Sequence, residues 1–301
     1  MEYKRLSDAN IINEQYMDSI LFEEHLIGTK LASTECELFG QKWSMPVMTP
    51  AFSHLGNYSG RELTGLEEYS IGARNLNILN FCGMMENDMF KKIIDTGAKT
   101  VRFVKPYADN GKVRDQMKFA EEVGAFGIGM DIDHIFGETG YDIVIGEEMA
   151  AQTEEMLASY IESTKLPFFV KGVLSVEDAE KCAKLGAKGI IVSHHHGRLP
   201  YAIPPMMILP EIKEALVETD VKIIVDCGIA SGYDVYKALA LGADAACPGR
   251  SMLPSLEKDG TEGMERFFTK IRDELRFAMS STGFEKTEDI DDSALWIKET
   301  I

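Results

Sequence analysis

Residues 167–198 read PFFVKGVLSVEDAEKCAKLGAKGIIVSHHHGR, and residues 222–250 read KIIVDCGIASGYDVYKALALGADAACPGR. Each stretch opens on a short apolar run without polar alternation, the pattern of a strand buried on both faces. A helix-start signal follows in both. Ser175 and Ser231 are placed to accept a backbone N–H, with Asp178 and Asp234 three residues on as reciprocal partners. Both helices then run into Leu-Gly-Ala, where Gly186 and Gly242 permit the left-handed turn that ends a helix. The repeat of 171–178 (KGVLSVED) as 227–234 (CGIASGYD), about 56 residues later, spans two strand–helix units. A repeat of that size favours a barrel over a doubly wound open sheet.

Working outward, further apolar runs occupy 46–51, 78–83, 100–106, 126–133, 189–194 and 245–250, which with 167–172 and 222–228 makes eight. Amphipathic spacers separate them at 61–75, 86–97, 112–124, 153–165, 176–186, 211–218, 233–242 and 263–280. Eight units over 46–301 average about 32 residues, the size of a (β/α)8 barrel. The expected fold is therefore α/β, one single-domain TIM barrel over 46–301. Residues 1–45 form an N-terminal extension expected to pack on the barrel's base or flank. Long loops follow strand four (134–150) and strand six (195–209), and they are expected to cover a substrate at the face that carries barrel chemistry.

Hydrophobic content of 45% and charged content of 27% are those of a globular protein. Lys and Arg number 31 against 49 Asp and Glu, a net charge of −18 that excludes a phosphate-backbone binder. Five scattered cysteines without a C-x-x-C pair, no signal-like start and no apolar run of eighteen residues predict a cytoplasmic chain with reduced thiols and no membrane span. Among sixteen methionines, Met84, Met85, Met206 and Met207 read as core gap-fillers.

Five of the six histidines fall at strand ends: His54, His134 and the run His194, His195, His196. Side chains alternate along an extended segment, so His195 is expected to point opposite to His194 and His196. Arg198 follows the turn residue Gly197. A histidine beside a fixed cation suits proton removal from an anionic substrate, and Asp133 can orient that histidine. Lys171 ends an apolar run and must either snorkel or meet a buried negative charge; Schiff-base chemistry and stabilisation of an anionic cofactor are two roles open to it. The stretches 228–232 (GIASG) and 248–250 (PGR) stand where barrels bind phosphate through amides and a helix start. No GxGxxG or Walker motif is present.

Over about residues 21–285 the chain resembles the FMN-dependent α-hydroxy-acid oxidases and dehydrogenases of the glycolate and lactate oxidase type. SHHHGR at 193–198 resembles their Ser-Asn-His-Gly-Gly-Arg signature. The resemblance implies His195 as catalytic base, Arg198 as substrate-carboxylate ligand, and Asp133 as the histidine's partner. FVKG at 169–172 brings Lys171 to the family lysine near flavin N1 and O2. PVMTPAFSHL at 46–55 matches the first-strand segment, placing Pro50 and Ala51 against the flavin. DCGIASG at 226–232 and Gly249-Arg250 match the phosphate grip, which implies Asp226, Gly228, Gly249 and Arg250 as FMN contacts together with Ser193. Tyr107 falls near a substrate-contacting tyrosine.

The departures are specific. Lys105 stands for a flavin-contacting Gln, Asp131 for Thr, and His194 and His196 for Asn and Gly. Ala230 and Ser231 replace paired arginines. No arginine occupies 134–150, so His194 or His196 is expected to help bind substrate. An amino-terminal tyrosine segment is unrecognisable, marking a divergent, N-terminally short member. The resemblance implies oxidation of a 2-hydroxy acid or related alcohol with FMN. It further implies a small-molecule substrate, an acceptor that is oxygen, a quinone or a protein, and a homo-oligomer such as a tetramer. Two other readings use the same residues: a non-redox FMN enzyme like the type 2 isopentenyl-diphosphate isomerases, and a metal-dependent lyase or hydrolase built on His134, Glu138, His194 and His196.

Overall fold

Seven of the apolar runs become strands of one parallel sheet in the computed structural model, which describes residues 8–58 and 60–297. They are β1 (Asn80–Cys82), β2 (Thr100–Val104), β3 (Gly127–Asp131), β4 (Phe168–Val173), β5 (Gly189–Val192), β6 (Lys222–Val225) and β7 (Ala245–Ala246), paired in sequence order. The remaining run meets both edges of the sheet. Val47 bridges Ala246 in parallel, Met48 N donates to Ala246 O at 3.0 Å, and Thr49 N donates to Leu79 O at 3.1 Å. The sheet is thus curled, with one segment bonded to its first and last strands. Residues 1–7 of the expected extension and 298–301 of the expected barrel lie outside the described residues.

Helices α1 (Ala9–Ser19), α2 (Gly65–Leu76), α3 (Asn87–Asp95), α4 (Asn110–Glu122), α5 (Glu154–Glu162), α6 (Val176–Lys184), α7 (Pro205–Ala215), α8 (Gly232–Ala240) and α9 (Leu253–Thr282) complete the alternation. Ser175 Oγ accepts from Asp178 N at 3.1 Å and Ser231 Oγ from Asp234 N at 3.2 Å. The reciprocal half of the box closes at α8, where Asp234 Oδ2 accepts from Ser231 N at 2.9 Å. Gly186 and Gly242 take φ of +92° and +109°, as the terminal turns require.

The core has two layers. One lies between sheet and helices; the other fills the inside of the curl with Phe81, Phe103, Phe169, Ile191 and Ile224. Two of the large rings, Phe103 and Phe169, fit there because glycine faces them. Phe169 pairs with Gly129 on β3 and with Gly189 on β5. A Cβ at Gly129 would stand 2.5 Å from the Phe103 ring, and one at Gly189 would stand 2.8 Å from that of Phe169.

A hairpin of Cys36–Leu38 and Gln41–Trp43 closes the end where strands begin, with Phe39 edge-on to Phe169 at 4.9 Å. The rest of the extension departs from the sequence expectation. Helix α1 lies over the opposite end, where Asn10 Nδ2 donates to His196 O at 3.1 Å and Asn13 Nδ2 to Cys227 O at 3.3 Å. Residues 20–22 then pair antiparallel with 295–297. Among the described residues no helix is long and apolar enough to cross a membrane.

Replacing Phe169 with Ala should cost about 3–5 kcal/mol in a denaturant-unfolding measurement, because the surrounding glycines cannot refill the space. A loss below about 1 kcal/mol would remove Phe169 from the interior role given to it here. Gly129→Val should also lower the midpoint, by overpacking against Phe103.

Candidate active site

The period of two along each strand builds the site. Two residues beyond the interior positions Phe103, Gly129, Phe169, Ile191 and Ile224 come Lys105, Asp131, Lys171, Ser193 and Asp226. An apolar column is thereby topped by a ring of charges. Lys105 Nζ donates to Asp131 Oδ2 at 2.5 Å. Lys171 Nζ donates to Ser193 Oγ at 3.2 Å and lies 3.5 Å from Asp226 Oδ2. Burial works against the Asp131 charge, yet Lys171 and Lys105 hold its carboxyl well below the usual range. Burial likewise opposes the Lys171 ammonium, and Asp226, Asp131 and Asp133 outweigh it, raising its pKa.

Above the ring sits His195. Its backbone N donates to Ser193 Oγ at 3.1 Å, and its Nδ1 lies 2.8 Å from Asp133 Oδ1 and 3.6 Å from Asp131 Oδ1. Burial and Lys171 disfavour the imidazolium, but the two aspartates prevail and raise its pKa. Burial, reinforced by Asp131, pushes the Asp133 carboxyl up. With Nδ1 held by carboxylate, Nε2 is the nitrogen offered to a reactant. Gly172 makes room for this pair, since a Cβ there would meet Asp133 at 2.6 Å.

His195 and His196 both take left-handed φ, +48° and +58°, as do His54 at +58° and Cys227 at +70°. Strand alternation therefore stops at His194, which overturns the expectation that His194 and His196 share a face. His194 is buried, its Nδ1 accepting from Gly197 N at 3.1 Å, and burial lowers its pKa. His196 is exposed and joins His195 on the cavity wall.

That cavity holds about 540 Å³. Its walls include Pro50, Ala51, Lys105, Lys171, His195, His196, Asp226, Gly228, Gly249 and Arg250. Asp131, Asp133 and Ser193 support it from behind. Three expected substrate ligands lie elsewhere: buried His194, Tyr107 and Arg198. Tyr107 is buried after the turn in which its N donates to Lys105 O, and its ring sits 4.6 Å below Lys112 Nζ. Arg198 is engaged by the 134–150 loop: it donates to Asp142 Oδ2 at 2.6 Å and Phe136 O at 2.7 Å, and its Nη1 lies 3.1 Å from His134 Nε2.

A guanidinium can only donate, so His134 Nε2 carries the lone pair and Nδ1 the proton, 2.6 Å from Asp142 Oδ2. Burial, with Lys105 and Arg198 nearby, pushes the His134 pKa down to about 4.

The sequence reading missed α1 as a wall, through Asn10, Asn13 and Glu14. Their i, i+3, i+4 spacing after the Asp8 cap was the available signal. The alternative metal set does not assemble. Among the described residues the donor group that converges is Asp131, Asp133 and His195, and its carboxylates already face lysines or the imidazole.

The amides at the start of α8 are occupied as well, since Asp234 Oδ2 accepts from Ala230 N and Ser231 N at 3.0 and 2.9 Å. The Gly249 and Arg250 side is open to an anion at this end of the cavity, since a Cβ at Gly249 would meet no atom within 4 Å.

A curled parallel sheet with a carboxylate-held histidine over a buried lysine defines an α/β protein with its chemistry at the strand ends. Residues 137–297 match the model of the FMN-dependent dehydrogenases, and the chain belongs to that family. It is similar to a 2-hydroxyacid oxidase of Dictyostelium discoideum, 42% identical over 134 residues that make up 44% of this chain and 34% of that protein. It is also similar to an L-lactate oxidase of Lactobacillus jensenii, 39% identical over 173 residues, 57% of this chain and 40% of that one. The matched stretches span well under half of these relatives. A solved mandelate oxidase variant with a monooxide FMN adduct superposes with a TM-score of 0.86 at 25% identity, covering 99% of this chain and 93% of the other.

His134 has a folded pKa below its ordinary 6.5, so it contributes stability above pH 6.5 that is lost as pH falls toward 4. His134→Gln should therefore flatten the decline of unfolding free energy between pH 6.5 and 4, followed by urea midpoints at each pH. An unchanged slope would contradict the neutral tautomer assigned here.

Proposed function

We propose that this chain binds FMN in the 540 Å³ cavity and oxidises a 2-hydroxy acid to the 2-oxo acid. The observation that carries the reading is His195, clamped by Asp133 at 2.8 Å above buried Lys171. The fold reading that goes with it is a closed (β/α)8 barrel in which 46–49 is the eighth strand, supported by its bonds to both sheet edges. FMN would supply, when bound, the acceptor for the substrate's α-hydrogen together with two electrons, leaving the hydroxyl proton to the protein.

The residues divide the remaining work. His195 Nε2 takes the substrate hydroxyl proton, and Asp133 balances the imidazolium that results. Lys171 and Lys105 keep fixed positive charge on the cavity floor, favouring negative charge that develops there. Pro50 and Ala51 provide the apolar wall against which a flat ring system can lie. Arg250, with the backbone at Gly249, faces the phosphate end.

Arg198 stands behind His134, one contact from the cavity, and holds a substrate carboxylate by exchanging it for Asp142. The family membership and the charge ring favour this reading over the isomerase and the metal enzyme.

Purified protein should take up FMN and turn yellow, and anaerobic addition of a 2-hydroxy acid should bleach it. His195→Ala should keep the colour and slow bleaching by about 10²–10⁴-fold. Protein that refuses FMN would overturn the proposal.

Because the His195 pKa is raised and the base must be neutral, kcat/KM should rise through an apparent pKa above 6.5. Asp133→Asn should move that pKa down. Asp142→Asn should tighten binding of a 2-oxo acid by freeing Arg198, and weaker binding would count against the exchange.

A further inference from the structure

A second cavity of about 300 Å³ adjoins the first, sharing His54 and Met84 as walls. We propose that it is the subsite for the substrate's side chain, and that the substrate is a 2-hydroxy acid with an uncharged apolar chain of several carbons. The proposal rests on the 2-hydroxy-acid reading above and specifies its substrate.

The lining decides the chemistry. Leu55, Leu66, Met84, Met85 and Met89 make the apolar surface, and Ile145 projects over it from the hairpin of Ile143–Val144 and Glu147–Glu148. Methionine side chains are unbranched and adaptable, so they close around chains of differing shape. A purely structural role for Met84 and Met85 would leave no space beside them, whereas a cavity of this size is that of a small-ligand site.

The polar groups on its walls are engaged with one another. Thr64 Oγ1 and Glu67 Oε2 satisfy each other at 2.8 Å in the cap of α2. Lys112 Nζ donates to Glu147 Oε1 at 2.6 Å and rests over the Tyr107 ring. The lining also carries the exposed carboxylate of Glu86 and, at the wall shared with the first cavity, the imidazole of His54. Among the described residues the lining's lysine, Lys112, is already paired with Glu147, so Glu86 disfavours a second carboxylate and apolar contact is the attraction. A reactant beneath His195 reaches this space by passing between His54 and Met84.

The test is isothermal titration calorimetry of FMN-loaded protein with straight-chain 2-oxo acids from pyruvate to 2-oxooctanoate, and with 2-oxoglutarate. Kd should fall about fourfold per added methylene over the first few, then level off as the space fills. 2-Oxoglutarate should bind more weakly than 2-oxopentanoate. Met89→Trp and Leu55→Trp, at half-buried positions, should flatten the series. The ratio of long to short acid within each variant is the readout, so a uniform loss of affinity does not count in favour.

A Kd independent of chain length, tighter binding of the dicarboxylate, or an unaltered ratio in both variants would overturn the subsite. Failure of every 2-oxo acid to bind would instead overturn the 2-hydroxy-acid reading on which it rests.

Discussion

Lys171 stands two residues beyond Phe169 on the same face of β4, at the boundary between a dry column and the cavity. An isolated charge there would be costly to desolvate, and its neighbours answer that cost from both sides. Asp226 and Ser193 face it across one side, and Asp131 pairs beside it in register on β3. Asp131 in turn needs Lys105. The balance is shared around the curl, Asp131 answering both Lys105 and Lys171 while Lys171 also faces Asp226. His195 inherits its orientation from this ring, because Ser193 Oγ receives its backbone amide while Asp131 and Asp133 flank its imidazole.

The global sign of the molecule is opposite to what its cavity needs. A net charge of −18 belongs to the outer surface, where acidic side chains of the helices meet water. Inside, Lys105, Lys171 and Arg250 are the cations that face the cavity, two of them tied to carboxylates. An anionic ligand therefore depends on short-range hydrogen-bond geometry. Long-range steering works against it, and salt that screens the surface should help encounter more than it harms binding.

What the sequence made legible was whatever local rules determine. The Ser175 and Ser231 caps, the glycine-ended helices and the period of two that carries Phe169 to Lys171 need no knowledge of partners distant in the chain. The failures share a cause. Tyr107 was placed by the family resemblance, yet the turn at Lys105 sends its ring beneath Lys112. His196 was placed by alternation, which left-handed backbone at His195 and His196 suspends. Arg198 meets Asp142 across a long sequence interval, and no periodicity announces such a pair. Helix α1 went unread and residues 1–45 were expected on the base or flank, because the Asn10 and Asn13 bonds to loop carbonyls that fix its place join residues far apart in the chain.

The four left-handed residues at the cavity rim bear on how this sequence can drift. His54, His195, His196 and Cys227 each hold a backbone shape that glycine adopts with less strain. Folding by itself rewards loss of the side chain at these points. Selection for a robust scaffold and selection for an intact rim therefore pull in opposite directions at the same codons. A lineage released from its chemistry should shed imidazole and thiol here first, while the Phe169 column and its facing glycines persist.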